Sequence, residues 1–345
     1  MNPLVLSLLM LGLGLGTTIT FASSHWLLAW MGLEINTLAI IPLMTQHHHP
    51  RAVEATTKYF LVQATAAAII LFASTTNAWI TGQWDIQQMS HTVPTAMITL
   101  ALMLKLGLAP AHFWLPEVLQ GLDLTTGLIL STWQKLAPMS LLLQVPTLNP
   151  TLMMIVGLLS TMVGGWGGLN QTQLRKIMAY SSIAHLGWMM LIITFNPKLT
   201  LMALVMYITM TLSMFLVFKM NHSLNMNALS TSWSKTPILT MLFPLILLSL
   251  GGLPPLSGFM PKWLILQELT KQELPLTATI AALSALLSLY FYLRLSYAMT
   301  LTTSPNTIMN ITPWRLKSLQ LTTPLSISIA LTTLLLPLTP ALMTL

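Results

Sequence analysis

Apolar residues in this chain run in blocks of about twenty, neither alternating as in a strand nor recurring as a one-sided helical stripe. Between polar or proline-rich breaks the blocks predict helices near residues 3–22, 26–44, 58–80, 94–119, 124–143, 149–169, 174–195, 199–218, 237–270, 275–300 and 324–343. A bilayer core about 30 Å thick takes roughly 20 apolar residues per helix, so these eleven blocks read as eleven spans. The ninth would be about 51 Å long at 1.5 Å per residue, too long for one straight span, and is expected to be broken. The first block opens MNPLVLSLLMLGLGLG, with no basic segment ahead of it, and is read as a span rather than a signal peptide.

Composition points the same way. Only 7 acidic and 14 basic side chains occur in 345 residues, and 6% of the chain is charged, whereas a soluble domain needs about 25%. Most of the outer surface must therefore face lipid. The net charge of +7 is spread over single basic residues with no run or stripe for a phosphate backbone, so no nucleic-acid partner is expected. Cysteine is absent, which excludes disulfides, thiolate metal sites and Cys-held iron-sulfur clusters. The chemistry is left to Lys, Glu, Asp and His.

Loop charge gives sidedness. Counted by alternating loops, Arg51, Lys58, Arg175, Lys176, Lys219, Lys235, Arg294, Arg315 and Lys317 fall on the N-terminal side, against Lys198 and Lys271 on the other. The bias predicts an inside N-terminus and an outside C-terminus. A repeat is also visible. GLAPAHFWLPE at residues 107–117 and GLPPLSGFMPK at residues 252–262 share G-L-x-P-x5-P followed by an ionisable residue. Their prolines should interrupt the fourth and ninth helices at matched points. Broken helices five spans apart imply two five-helix repeats, 1–147 and 148–300, the second inverted, with a loop and a C-terminal helix in 301–345. The expected fold is thus an all-α polytopic membrane protein built like a secondary transporter.

Four ionisable residues lie inside spans: Glu34, Lys105, Lys135 and Lys262. Each costs on the order of 3 kcal/mol at the bilayer centre, so each must face protein or water. Burial brings such groups toward neutrality, where a proton is exchanged at modest cost, and a neighbouring carboxylate tunes a lysine. The four form a candidate proton path: Glu34 modulates Lys105, Lys135 passes the proton laterally, and Lys262 leads to an exit. The depth of Lys262 depends on how its helix breaks. His112, just past Pro110, and His185 could join water chains or simply pack and hydrogen-bond. Glu117 and Asp123 read as interfacial. The run His47, His48, His49 reads as a solvated loop rather than a metal site, and no metal or cofactor site is expected.

The segments KLGLAPAHFWLPEV (residues 105–118), GGLNQTQLRKIMAYSSIAHLGW (167–188) and LGGLPPLSGFMPKW (250–263) closely resemble the subunit 2 family of vertebrate mitochondrial NADH dehydrogenase. That family belongs to the antiporter-like subunits of respiratory complex I, related to cation/proton antiporters. The resemblance implies that Glu34 is the family's fifth-helix glutamate, Lys105 the lysine of its first broken helix, Lys135 its central-axis lysine and Lys262 the terminal lysine of its second broken helix. Full-length relatives have fourteen helices and the animal form lacks three, which leaves eleven. It also implies a place in the mitochondrial inner membrane among other membrane-arm and accessory subunits and lipids, with NADH, FMN, iron-sulfur clusters and ubiquinone handled by other subunits. The rival expectations are an autonomous cation/proton antiporter and a purely structural membrane spacer.

Overall fold

In the computed structural model the described residues are 2–46, 48–146, 148–234, 236–302 and 322–344. His47, Lys235, Arg315 and Lys317 therefore lie outside them. The order is α1 (Pro3–Ala22), α2 (Trp26–Met44), α3 (Pro50–Thr81), α4 (Thr92–Leu106), α5 (Trp114–Gly121), α6 (Leu124–Gln144), α7 (Pro150–Gly168), α8 (Leu174–Ile192), α9 (Pro197–Asn221), α10 (Met226–Ser230), α11 (Pro237–Gly251), α12 (Phe259–Lys271), α13 (Pro275–Thr300), α14 (Thr322–Leu334) and α15 (Thr339–Thr344). The described residues contain no strand, only two isolated bridges, His25 with Asp85 and Gln173 with Asn225. Among the described residues six helices, α1, α2, α3, α7, α9 and α13, are long and apolar enough to cross a bilayer.

The chain divides into two compact units, residues 1–156 and 157–345. In the first, α1 packs on α2, α3 on α2, α4 and α5, and α6 on α1, α2 and α4. Glycine sets the closest of these approaches. A Cβ on Gly32 would sit 2.9 Å from the Gly16 carbonyl oxygen, and one on Gly16 would sit 2.7 Å from Asn36 Oδ1. Small residues are what allow helices in lipid to pack this tightly. In the second unit α9 packs on α8, α11 and α14, and α13 on α8, α11 and α12.

The helix ends follow from local chemistry. α3 starts eight residues earlier than the apolar pattern indicates, because Pro50 occupies its first turn and His49 caps it, the Arg51 N–H donating to His49 Nδ1 at 3.2 Å. Arg51 and Lys58 accordingly lie in a helix and not in a loop. Lys219 and Lys271 sit in the last turns of α9 and α12, where a cation suits the helix dipole. The last predicted span is not one helix: α14 stops at Leu334, and a 3-10 turn over Leu336–Leu338 precedes α15. Pro337 cannot donate to the Thr333 carbonyl, so the α-helical ladder ends there.

Both proline motifs break their helices. α4 ends on Gly107 at φ 78°, ψ 40°, and α11 ends on Gly252 at φ 78°, ψ 39°. After each glycine the next N–H reaches back to close the helix, Leu108 to the Met103 carbonyl at 3.1 Å and Leu253 to the Leu248 carbonyl at 3.2 Å. This left-handed closure needs glycine. Each motif then carries a cis peptide bond, Ala109–Pro110 and Pro254–Pro255, before the chain becomes helical again at α5 and α12.

Replacing Gly107 by Ala forces a left-handed residue with a Cβ 2.8 Å from Leu115 Cδ1. The variant should lose about 1 kcal/mol or more from the left-handed backbone alone, read as a lower melting temperature of the detergent-solubilised protein. An unchanged melt would show that the glycine closure does not hold the break.

Candidate functional site

In the first unit three elements bring the ionisable residues toward one region. Lys105 lies in the last turn of α4 and Lys135 near the middle of α6, three residues before Pro138. Pro138 lacks the N–H that would serve the Gln134 carbonyl in a regular helix. Lys105, Lys135, Gln134 and Pro138 all line one cavity of about 20 Å³, together with Asn36 and Thr37 of α2, Tyr59 and Gln63 of α3 and Trp114 of α5. That volume is above the ~10–15 Å³ a water molecule requires.

Both lysines are buried, Lys105 at 6% exposure and Lys135 at 3%. Among the described residues Lys105 Nζ has no hydrogen-bond partner. An uncompensated buried ammonium costs several kcal/mol, so this one is held in place by the fold around it. Glu34 is half-buried on α2, and its carboxylate accepts a hydrogen bond from Thr37 Oγ1 at 2.8 Å. It is close enough to act electrostatically on Lys105 and Tyr59. Further contacts tie the walls together. Gln134 Nε2 donates to the Asn36 carbonyl at 3.3 Å, and Gln63 Nε2 approaches the Lys105 carbonyl at 3.5 Å.

His112 is buried in the α4–α5 break, with Nδ1 3.2 Å from the Pro110 carbonyl and its ring 4.3 Å from that of Phe113. It is absent from the cavity wall. Glu117, at the ionisable position of the first motif, points outward. It accepts from Lys58 Nζ at 2.7 Å, and Lys58 pairs also with Glu54 at 2.8 Å.

In the second unit the same motif position is used differently. Lys262 is half-buried, and its ammonium donates to the Gly251 carbonyl at 2.7 Å, so it spans the helix break and closes the end of α11. In the first unit the comparable bond comes from the Trp114 indole N–H to the Leu104 carbonyl at 3.1 Å. His185 of α8 lies against Tyr207 of α9, ring centroids 5.7 Å apart. The buried Ser181, Ser182, Tyr207 and Tyr292 sit in the same unit. Sequence reading passed over Asn36, Gln63, Gln134 and these tyrosines. The available signal was an amide within an apolar block, one beside Glu34 and one beside Lys135. Among the described residues no group of three or more His, Cys, Asp or Glu is placed to hold a metal ion, and His49 is engaged as a helix cap.

The NADH-ubiquinone oxidoreductase chain 2 of Gadus morhua is 71% identical to this chain over 99% of it and 98% of the relative. The chain belongs to the NADH-ubiquinone oxidoreductase chain 2 family. The chain 2 proteins of Oncorhynchus mykiss and Danio rerio are 70% and 65% identical, each over 99% of this chain. Residues 23–288 match the model of the NADH:quinone oxidoreductase/Mrp antiporter transmembrane family, and residues 289–343 that of the NADH dehydrogenase subunit 2 C-terminus. A chain in the structure of respiratory complex I from Thermus thermophilus superposes with a TM-score of 0.88 at 29% identity, over all of this chain and 80% of its own length. A chain of the Mrp complex from a Dietzia species has the same fold, with a TM-score of 0.79 at 19% identity over 84% of this chain and 60% of its own. This chain thus shares its helical frame with a chain of the Mrp complex as well as with one of respiratory complex I.

Trp114→Phe removes the only side-chain hydrogen bond described to the Leu104 carbonyl. It should cost about 1 kcal/mol of stability and leave overall packing intact. A melting temperature equal to the parent's would show that the indole does not close the break.

Proposed function

We propose that this chain is a proton-translocating membrane-arm subunit of a mitochondrial NADH:ubiquinone oxidoreductase, with no redox cofactor of its own. Family membership and the respiratory complex I likeness carry the assignment to that enzyme. The observation that carries the mechanism is the buried cavity shared by Lys105 and Lys135. NADH, FMN, iron-sulfur clusters and ubiquinone belong to other subunits, and the partners are the neighbouring membrane-arm and accessory subunits and lipid. The chain lies in the inner membrane, with its N-terminus on the matrix side and its C-terminus on the intermembrane-space side.

Within this reading the chain has eleven spans arranged as two inverted five-helix repeats and a terminal helix. Matched features support the repeat. Gly107 and Gly252 close their helices with nearly identical angles. The residue before α2 bridges the segment after α3, His25 to Asp85, as the residue before α8 bridges the segment after α9, Gln173 to Asn225.

In the first repeat a carboxylate near an ammonium favours the charged lysine. A change in the charge or position of Glu34 therefore moves the proton off Lys105, and water in the cavity carries it toward Lys135. In the second repeat Lys262 leaves or regains the Gly251 carbonyl as its proton is released or taken up. His112 and His185 lie near enough to helix breaks and hydroxyl groups to extend water chains.

The assignment to the oxidoreductase is tested by native electrophoresis of gently solubilised membranes, with detection of this chain and staining for NADH dehydrogenase activity in the same lane. Co-migration in one very large assembly is expected. A small separate species lacking that activity would favour an autonomous cation/proton antiporter, which should exchange ions when reconstituted alone. The path is tested by Lys135→Met in the assembled complex. Proton translocation per NADH should fall while NADH oxidation by an artificial electron acceptor persists. Unaltered translocation with Met at this position would leave the structural-spacer reading in its place.

A further inference from the structure

The proton path described above leaves a buried group of its own cavity wall unused. Asn36 is 1% exposed, yet among the described residues neither its Oδ1 nor its Nδ2 has a hydrogen-bond partner. A carboxamide offers two donors and two acceptor sites, and buried polar groups in native proteins are nearly always satisfied. Asn36 lines the same cavity as Lys105, whose Nζ is the other orphaned buried group there. The cavity has room for a water molecule, and a buried water normally makes two to four hydrogen bonds.

Resting on the proton-path reading, we infer that Asn36 is a positioning residue that holds a resident water against Lys105, and that this water is the first link toward Lys135. The chemistry selects water over an ion. Two lysines in the wall repel a metal cation, and an anion has no proton to give Asn36 Oδ1, whereas water donates to the carboxamide oxygen and accepts from the ammonium. Fixing the water orients its lone pair toward the Lys105 proton, which then leaves along an existing hydrogen bond. The neighbourhood is built for the carboxamide. Gly16 of α1 packs against it, with no space for even a methyl group, since a Cβ there would lie 2.9 Å from Asn36 Cγ. Gln134, beside Lys135, donates to the Asn36 backbone carbonyl, which ties the α2 wall to the α6 wall.

Two measurements on the assembled complex test this. A high-resolution density map of the wild-type complex should show a water within hydrogen-bonding distance of both the Asn36 carboxamide and Lys105 Nζ. A site without such density overturns the inference, as does density best fitted by an ion. Asn36→Leu, which removes the donor and acceptor at similar volume, should slow proton translocation by at least about tenfold while electron input from NADH to an artificial acceptor is unchanged. Asn36→Ser, which keeps a hydroxyl, should restore much of the rate, with an altered solvent deuterium isotope effect. Full translocation by Asn36→Leu overturns the positioning role. Lys105→Met distinguishes the two levels. If it abolishes translocation while Asn36→Leu does not, the path stands and the water site falls; if Lys105→Met translocates normally, the path itself is wrong. Should Asn36→Leu fail to assemble, the wild-type density decides.

Discussion

A charge in hydrocarbon is the constraint on which the rest of this structure depends. Water pairs with ionic groups in a soluble protein; across a bilayer the protein must supply both the partner and the polar space. The fold does this in two ways. Lys262 donates to a helix-end carbonyl and so helps close α11. Among the described residues Lys105 Nζ has no hydrogen-bond partner, and it lines a water-sized cavity. The first arrangement makes a lysine part of the frame. The second leaves a lysine facing polar space, the arrangement that the proposed relay calls for.

The broken helices create the opportunity for both. A continuous helix satisfies its own backbone and presents only side chains to its neighbours, whereas each glycine-closed end leaves carbonyls without an intrahelical donor. Those carbonyls need donors, and the two units recruit different ones, an indole in the first and an ammonium in the second. The lysine of the first unit is thereby released from structural duty and faces the cavity formed by α2, α3, α5 and α6. Pro138 adds a further break in backbone pairing on the α6 wall. One motif placed twice thus yields two chemically different sites.

Much of the frame was legible in the sequence, because burial of apolar length is written residue by residue. The blocks located the six described helices that are long and apolar enough to cross a bilayer, and the prolines with their preceding glycines located both breaks to within a turn. Boundaries failed where a cap outweighed hydropathy, as at His49–Pro50, and where proline lay inside an apolar block, as at Pro337. The ionisable residues inside spans were equally visible, since a charge there is expensive. Their partners were not. Glu117 and Lys262 share a motif position, yet one faces outward to Lys58 and the other inward to a carbonyl. That difference arises from tertiary packing, on which local spacing is silent. Asn36, Gln63 and Gln134 escaped notice because an uncharged amide costs less to bury than a charge, and only the shared cavity reveals their common surroundings.

Proton exchange on a buried lysine is the centre of this account, and the arginine variant probes it most directly. Arg keeps the positive charge and most of the side-chain length but does not deprotonate in proteins. In complex assembled with Lys105→Arg, proton uptake per NADH oxidised would be measured in sealed vesicles beside the wild type. The account predicts assembly with intact NADH oxidation by an artificial acceptor and a translocation ratio well below the parent's. A ratio equal to the wild type would contradict it, because charge alone would then suffice.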